Sequence, residues 1–322
     1  MTNKKTNVFA TFFKENLVLI GIVILCIITA IIEPKFLGTN NINNVLKQLG
    51  PLPFAALGMT FVITAGFNDL SIPGTISLVG VVVIALIDVI GQVGALAVGI
   101  ALGAILGWIN GWVLTTAGAM IQAEVLFITY CMSSVWTAIG LIVTHAETMR
   151  MTRCQNNFGI FTALGTTNFG VVPLILIIFV VILLIMHFFL KKTIWGRNIC
   201  LVGGNKDAAN LVGVNVKSTM RLVYMINGLT AGLASIALLS RTTVATATSG
   251  MGYETNAILC VVVGGTSLRG GKGSVIRTMI GVVLITLLGN CMNMLDLSTY
   301  MQTVMRGAVL VVAIWLDNRN AQ

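Results

Sequence analysis

The chain has 322 residues, of which 57% are hydrophobic and 9% charged, with a net charge of +9. Ten acidic and nineteen basic side chains cannot clothe a water-soluble body of this size, because soluble domains carry about a quarter of their residues as charges. The composition specifies an integral membrane protein and excludes disordered, fibrous and disulfide-scaffold classes. A β-barrel is excluded as well: Val171–Leu190 is apolar almost throughout, whereas barrel strands alternate.

At about 20 residues per span, roughly nine or ten helices fit. The first is expected at 17–33. Lys4, Lys5 and Lys14 precede it and Glu33-Pro34-Lys35 follows in place of a small-residue cleavage site, so it reads as retained. The second runs near 43–65, with Pro51 and Pro53 kinking it or delaying its start. Gly66–Gly74 is a polar break. The third helix is expected at 75–90 and the fourth at 93–117. Gly94, Gly99, Gly103, Gly107 and Gly111 on the fourth are small enough to let helices approach closely. The fifth follows at 124–145, then a polar stretch at 146–170 and the sixth helix at 171–190. A charged segment, 191–221, leads to the seventh at 222–240. The apolar run Ala257–Val263 is too short to span alone, so the eighth segment reads as interrupted. The ninth is expected at 275–295 and the tenth at 300–316.

With the N-terminus inside, thirteen basic residues fall on inside loops and the tail, against five on outside loops and helix ends, which fits retention of Lys and Arg in the cytoplasm. Both termini are then cytoplasmic, and 66–74, 118–123, 191–221 and 266–277 are inside loops. The positive charge has no basic–aromatic stripe behind it, so no nucleic-acid partner is expected. One internal echo stands out: Val62–Leu70 (VITAGFNDL) is similar to Cys260–Leu268 (CVVVGGTSL), pairing Gly66 with Gly264.

No catalytic set is visible. His145 and His187 are isolated, and the six cysteines show no metal-ligand spacing. The Gly-rich run Gly264–Ser274 fails the phosphate-loop pattern, since Gly273 follows Lys272 where Ser or Thr is required. No cofactor or metal is expected in this chain. Polar residues in apolar territory are costly, so they face a cavity, a partner or one another. Those expected to border a translocation pathway are Asn68, Asp69, Ser71, Asn110, Gln122, Glu124, Asn227 and Thr266. Intramembrane carboxylates are too few for a proton relay. A self-contained secondary transporter or channel would need its own coupling-ion site, yet the residues alone leave that alternative open. Within 191–221, Asn205 can cap a short helix that Gly213 ends. Its Ala208, Ala209, Leu211 and Val212 give it an apolar side that a partner should cover.

The chain resembles the permease subunits of bacterial sugar-type ABC importers (the ribose, galactose, arabinose and xylose group). The resemblance rests on Gly66–Gly74, Asn110-Gly111, Gly203–Val216, Gly252-Tyr253-Glu254, Gly264–Leu268 and Gly270–Gly273, in that order. It implies one all-α permease domain over 1–322, of type II importer form, paired with a second permease subunit in the lipid membrane. It also implies a coupling helix made by Gly204, Asn205, Lys206, Asp207, Ala208, Ala209 and Gly213 that docks on a separate ATPase subunit carrying ATP–Mg. An extracytoplasmic sugar-binding protein would deliver the solute to outside loops such as 241–254. Two places depart from the family pattern. Phe67-Asn68 stands where the family usually has Gly-Ile, and Gln122–Tyr130 replaces a Pro-x-Phe-Ile-x-Thr-Leu run.

Overall fold

The computed structural model describes residues 17–170 and 172–320. Lys4, Lys5 and Lys14 lie outside the described residues. The chain is helical nearly throughout: α1 (Leu17–Ile32), α2 (Thr39–Gln48), α3 (Pro51–Thr64), α4 (Ile72–Thr116), α5 (Gln122–Thr144), α6 (Gly159–Thr166), α7 (Leu174–Lys192), α8 (Ile194–Gly204), α9 (Lys206–Leu211), α10 (Val216–Thr242), α11 (Tyr253–Val263), α12 (Val275–Met294) and α13 (Thr299–Asn320). Each of the ten expected segments has a helical counterpart. The helices α6 and α8 fall in stretches read as polar or charged, because their apolar faces are short and cover only the bundle ends. Two short antiparallel bridges pin outer loops, Met149–Arg150 against Val244–Ala245 and Asn168–Phe169 against Val172–Pro173.

The 45 residues of α4 would reach about 68 Å if straight, twice the hydrocarbon thickness. Gly91, at φ 73° and ψ 168°, instead folds the helix into a hairpin. The fold-back is closed at its base by the Asn110 side chain, which donates to Ser71 Oγ at 2.7 Å. The two limbs correspond to the expected third and fourth helices.

Helix α10 is the central post. It runs antiparallel to the second limb of α4, where Gly103, Gly107 and Gly111 lie against Gly228, Tyr224 and Arg221. A Cβ on Gly107 would overlap the Tyr224 carbonyl, and one on Gly228 would overlap the Gly103 carbonyl. Only glycine permits this backbone contact. Phe54 of α3 and Phe179 of α7 pack edge-to-face at 5.2 Å between ring centroids, extending the core outward.

Two helices start inside the bundle. Helix α3 ends in a Gly-capped turn, with Gly66 (φ 77°) donating to the Ile63 carbonyl and Phe67 to that of Val62. Residues 67–71 then run back into the protein. Asp69 meets Asn227, eleven residues into α10, or about 16 Å along its axis. The segment 66–74, expected as an inside loop, is therefore buried from Phe67 onward, apart from half-buried Leu70 and Pro73. On the other side, the loop before α11 dips inward until the Gly250 N–H donates to Ser77 Oγ at 2.9 Å and Gly250 packs on the Pro73 carbonyl. The starts of α4 and α11 thus face each other, and the helices run apart.

The end of α11 repeats the α3 turn: Gly265 (φ 83°) donates to Val262 and Thr266 to Val261. The repeat matches Gly66 with Gly265. The expected pairing with Gly264 is one residue out, because the left-handed turn position, and not the apolar run, sets the register.

Replacing Gly107 with leucine is expected to destabilise the seam by about 3 kcal/mol and lower the melting temperature of the detergent-purified protein. Gly204→Ala, where an added Cβ meets nothing within 4 Å, is expected to leave melting unchanged or slightly raised. Equal melting of both variants would refute the seam.

Candidate functional site

The break after α3 builds a buried polar node. Asp69 is 2% exposed. One of its carboxylate oxygens accepts the Ser71 N–H at 2.7 Å and the other the Asn227 side-chain amide at 2.7 Å. Ser71 Oγ accepts from Asn110, whose own carbonyl oxygen accepts the Trp136 indole N–H at 3.1 Å. The Tyr224 hydroxyl donates to the Asn68 carbonyl at 2.6 Å.

The need for this network is local. The first turn of a helix has N–H groups without intrahelical partners, and α4 starts away from water. Helix α5 supplies acceptors: Thr129 Oγ1 takes the Leu70 N–H at 3.1 Å and Ser133 Oγ takes that of Gly74 at 3.2 Å. Thr129, Ser133 and Trp136 lie on one face at helical spacing. That polar stripe in an apolar span was a readable signal, and sequence reasoning passed over it. Tyr224 had no such flag.

Among the expected pathway residues, the structure joins Asn68, Asp69, Ser71, Asn110 and Asn227. The side-chain oxygens Asn68 Oδ1, Asn227 Oδ1 and Thr266 Oγ1 are buried without a hydrogen-bond partner. Thr266 stands apart from the node, at the end of α11. Gln122 and Glu124 are exposed at the start of α5. The Glu124 carboxylate accepts the N–H groups of Met120 and Ile121 at 3.3 Å, a helix-capping role. Gln122 donates to the Leu268 carbonyl at 3.4 Å.

A second assembly lies below the node, where the ends of α3, α8 and the 264–274 loop meet backbone to backbone. The Gly271 N–H donates to the Thr64 carbonyl at 2.8 Å. A Cβ on Gly270 (φ 81°) would lie 2.6 Å from Gly66 Cα and 2.8 Å from the Gly203 carbonyl oxygen. An added side chain on Gly203 or Gly270 has no room here, so the three segments are in direct backbone contact.

The short helix α9 extends from this junction. Asn205 caps it by accepting the Ala208 N–H at 2.9 Å. Gly213 (φ 84°) donates to the Asn210 carbonyl, while Val214 donates to that of Ala209, a paired-bond helix stop. Lys206 holds the helix to the core. Its Nζ donates to the Met120 carbonyl at 2.7 Å and lies 4.2 Å from the centre of the Phe67 ring. Burial pushes the Lys206 ammonium below its ordinary range, and neighbouring Asp207 opposes that shift. Ala209 is buried against the protein, while Asp207, Ala208, Leu211 and Val212 are exposed, Leu211 to 88%. A groove of about 690 Å³ runs beside the helix, lined by Met120, Ile121, Lys206 and Asp207 among others. No group of three or more potential metal-ligating side chains occurs among the described residues.

A buried polar break, two helices starting inside the bundle and a capped helix standing off one end fit a transport protein. Residues 41–314 match the family described as the branched-chain amino acid transport system permease component. The chain belongs to this permease family. The permease is 38% identical over 303 residues to the ribose import permease protein RbsC of Bacillus subtilis, covering 94% of this chain and 92% of that one. It is 33% identical over 319 residues to the corresponding Haemophilus influenzae protein, covering 99% and 98%. It is 31% identical over 309 residues to the L-arabinose transport system permease protein AraH of Escherichia coli, covering 96% and 92%. No solved structure matches it.

Asp69→Asn is expected to place an amide nitrogen against one of two fixed donors, costing about 1–3 kcal/mol and reducing uptake. The exchange Asp69→Asn with Asn227→Asp restores a donor–acceptor pair and is expected to recover most of the loss in detergent melting. An exchange no better than the single variant would show that the 69–227 pair does not set the node.

Proposed function

We propose that the permease is the membrane subunit of an ABC importer and forms the passage for a monosaccharide or related small polar solute. A second permease subunit completes the passage. A separate ATPase subunit carries ATP–Mg and drives the cycle, and an extracytoplasmic binding protein feeds it. The end bearing α9 faces the cytoplasm, as do both chain termini. The sugar class is supported by the names of the ribose and arabinose relatives, and the cytoplasmic side by the basic residues of 191–221.

The observation that carries the coupling role is the two-sided contact of α9. Its inner end reaches Phe67 and Met120 through Lys206, while Leu211 and Val212 project bare into solvent. An ATPase surface covering those side chains would push on a helix rooted at the Gly66–Gly203–Gly270 junction. The junction passes displacement to residues 67–71, and so to Asp69 and Asn227. Passage then opens by rearranging polar contacts and not by breaking the apolar core. Asn68 Oδ1 and Asn227 Oδ1 are the acceptors available to a hydroxylated solute or its water when the node loosens.

Two substitutions separate docking from transmission. Leu211→Asp is expected to cut co-purification of the ATPase at least tenfold with membrane insertion intact, since it places a charge in a desolvated contact. Lys206→Met is expected to retain the ATPase but lower uptake severalfold. Normal co-purification in the first, or normal uptake in the second, would overturn the role assigned to that residue. The solute is tested by the thermal shift of the cognate binding protein with pentoses, hexoses and branched-chain amino acids. A shift by an amino acid alone would replace the sugar assignment.

A further inference from the structure

The 264–274 run fails as a nucleotide loop, yet it lines a cavity of a different kind. The cavity, of about 300 Å³, is bounded by Lys191 from the end of α7, by Gly265 from the turn after α11, and by Lys272, Gly273, Ser274 and Arg277 from the loop and first turn of α12. Three cations from two separate parts of the chain converge on it, and its lining contains no acidic side chain. Ser274 caps α12 by accepting the Arg277 N–H at 3.4 Å. The N–H groups of the first helical turn have no intrahelical acceptor, and they add positive potential.

The surroundings point to what the cavity holds. Lys191 is the last position of an exposed stripe on α7 that runs Ile177, Val181, Leu184 and Phe188, spaced four, three, four and three residues apart up to the lysine. Phe188 is 63% exposed. Helix α12 packs beside α7 and carries exposed Ile276 and Ile280 next to Arg277. Two apolar rails therefore rise into the membrane from one cationic cavity at its edge. A soluble anion would use the cavity and ignore the rails.

We propose that this is a binding site for an anionic phospholipid, its phosphate held by Lys191, Lys272 and Arg277 and its acyl chains laid on α7 and α12. The phosphate is matched by charge and the chains by the stripe. The bound lipid would tie the end of α7 to the 264–274 loop, which the Gly270–Gly66 contact connects to the break. Placing it in the cytoplasmic leaflet rests on the orientation proposed above; the headgroup chemistry does not.

The test is native mass spectrometry of the detergent-purified permease titrated with phosphatidylglycerol or phosphatidylethanolamine of equal chain length. Wild type is expected to hold phosphatidylglycerol about tenfold more tightly. The combined Lys191→Gln, Lys272→Gln and Arg277→Gln variant is expected to lose that preference. The charge-preserving Lys191→Arg, Lys272→Arg and Arg277→Lys variant should keep it. All three side chains are exposed, and circular dichroism of each variant verifies folding. Equal binding of the two lipids by wild type, an unchanged preference in the glutamine variant, displacement of the lipid by millimolar inorganic phosphate, or its loss when the ATPase subunit binds would each overturn the proposal. None of these readouts depends on transport, so failure here is separate from failure of the importer reading.

Discussion

A helix that begins inside a membrane bundle has N–H groups that water cannot reach, and each one left unpaired costs several kcal/mol. In this permease that constraint falls on the first turn of α4. It explains why Asp69, Thr129 and Ser133 stand where they do, each side chain accepting a backbone N–H that no helix carbonyl takes. Asn227, Asn110, Trp136 and Tyr224 in turn orient those acceptors or the Asn68 carbonyl. The node is therefore a structural necessity of the broken chain before it is anything else. The proposal that it opens during transport draws on the same fact, because a polar network in an apolar interior exchanges partners at lower cost than a packed apolar core is parted.

The glycine contacts serve a complementary purpose. At Gly107 and Gly228 they bring two spans to backbone distance and fix the post formed by α10. At Gly66, Gly203 and Gly270 they join three chain turns with no side chain between them. A junction without rotamers has little slack, which is why the proposed coupling is routed through it.

Much of this was legible in the residues. Span positions followed from apolar runs, the α9 cap and stop from Asn205 and Gly213, and the half-span α11 from its shortness. The polar break was visible too, but its depth was not. A run of Gly, Asn, Asp, Ser and Pro looks the same whether it lies in water or folds back into the bundle, and only the partner residues on α5 and α10, far away in the chain, distinguish the two. Glu124 illustrates the converse. A carboxylate at the head of an apolar span looks like a pathway residue, and the letters do not reveal that one of its oxygens also satisfies two local N–H groups. The one-residue slip in the 66/265 pairing came from matching apolar letters where backbone handedness decides.

The opposed starts of α4 and α11 bear on how a buried carboxylate is tolerated. A helix N-terminus carries roughly half a positive charge, and here two of them approach through Pro73 and Gly250 inside the bundle. Asp69, the carboxylate of the node, lies beside the α4 start and is held by uncharged donors. Facing positive ends repel each other, and the Asp69 carboxylate beside the α4 start offsets that repulsion. The node thus keeps its carboxylate inside the bundle with helix ends and uncharged donors in place of a cationic side chain.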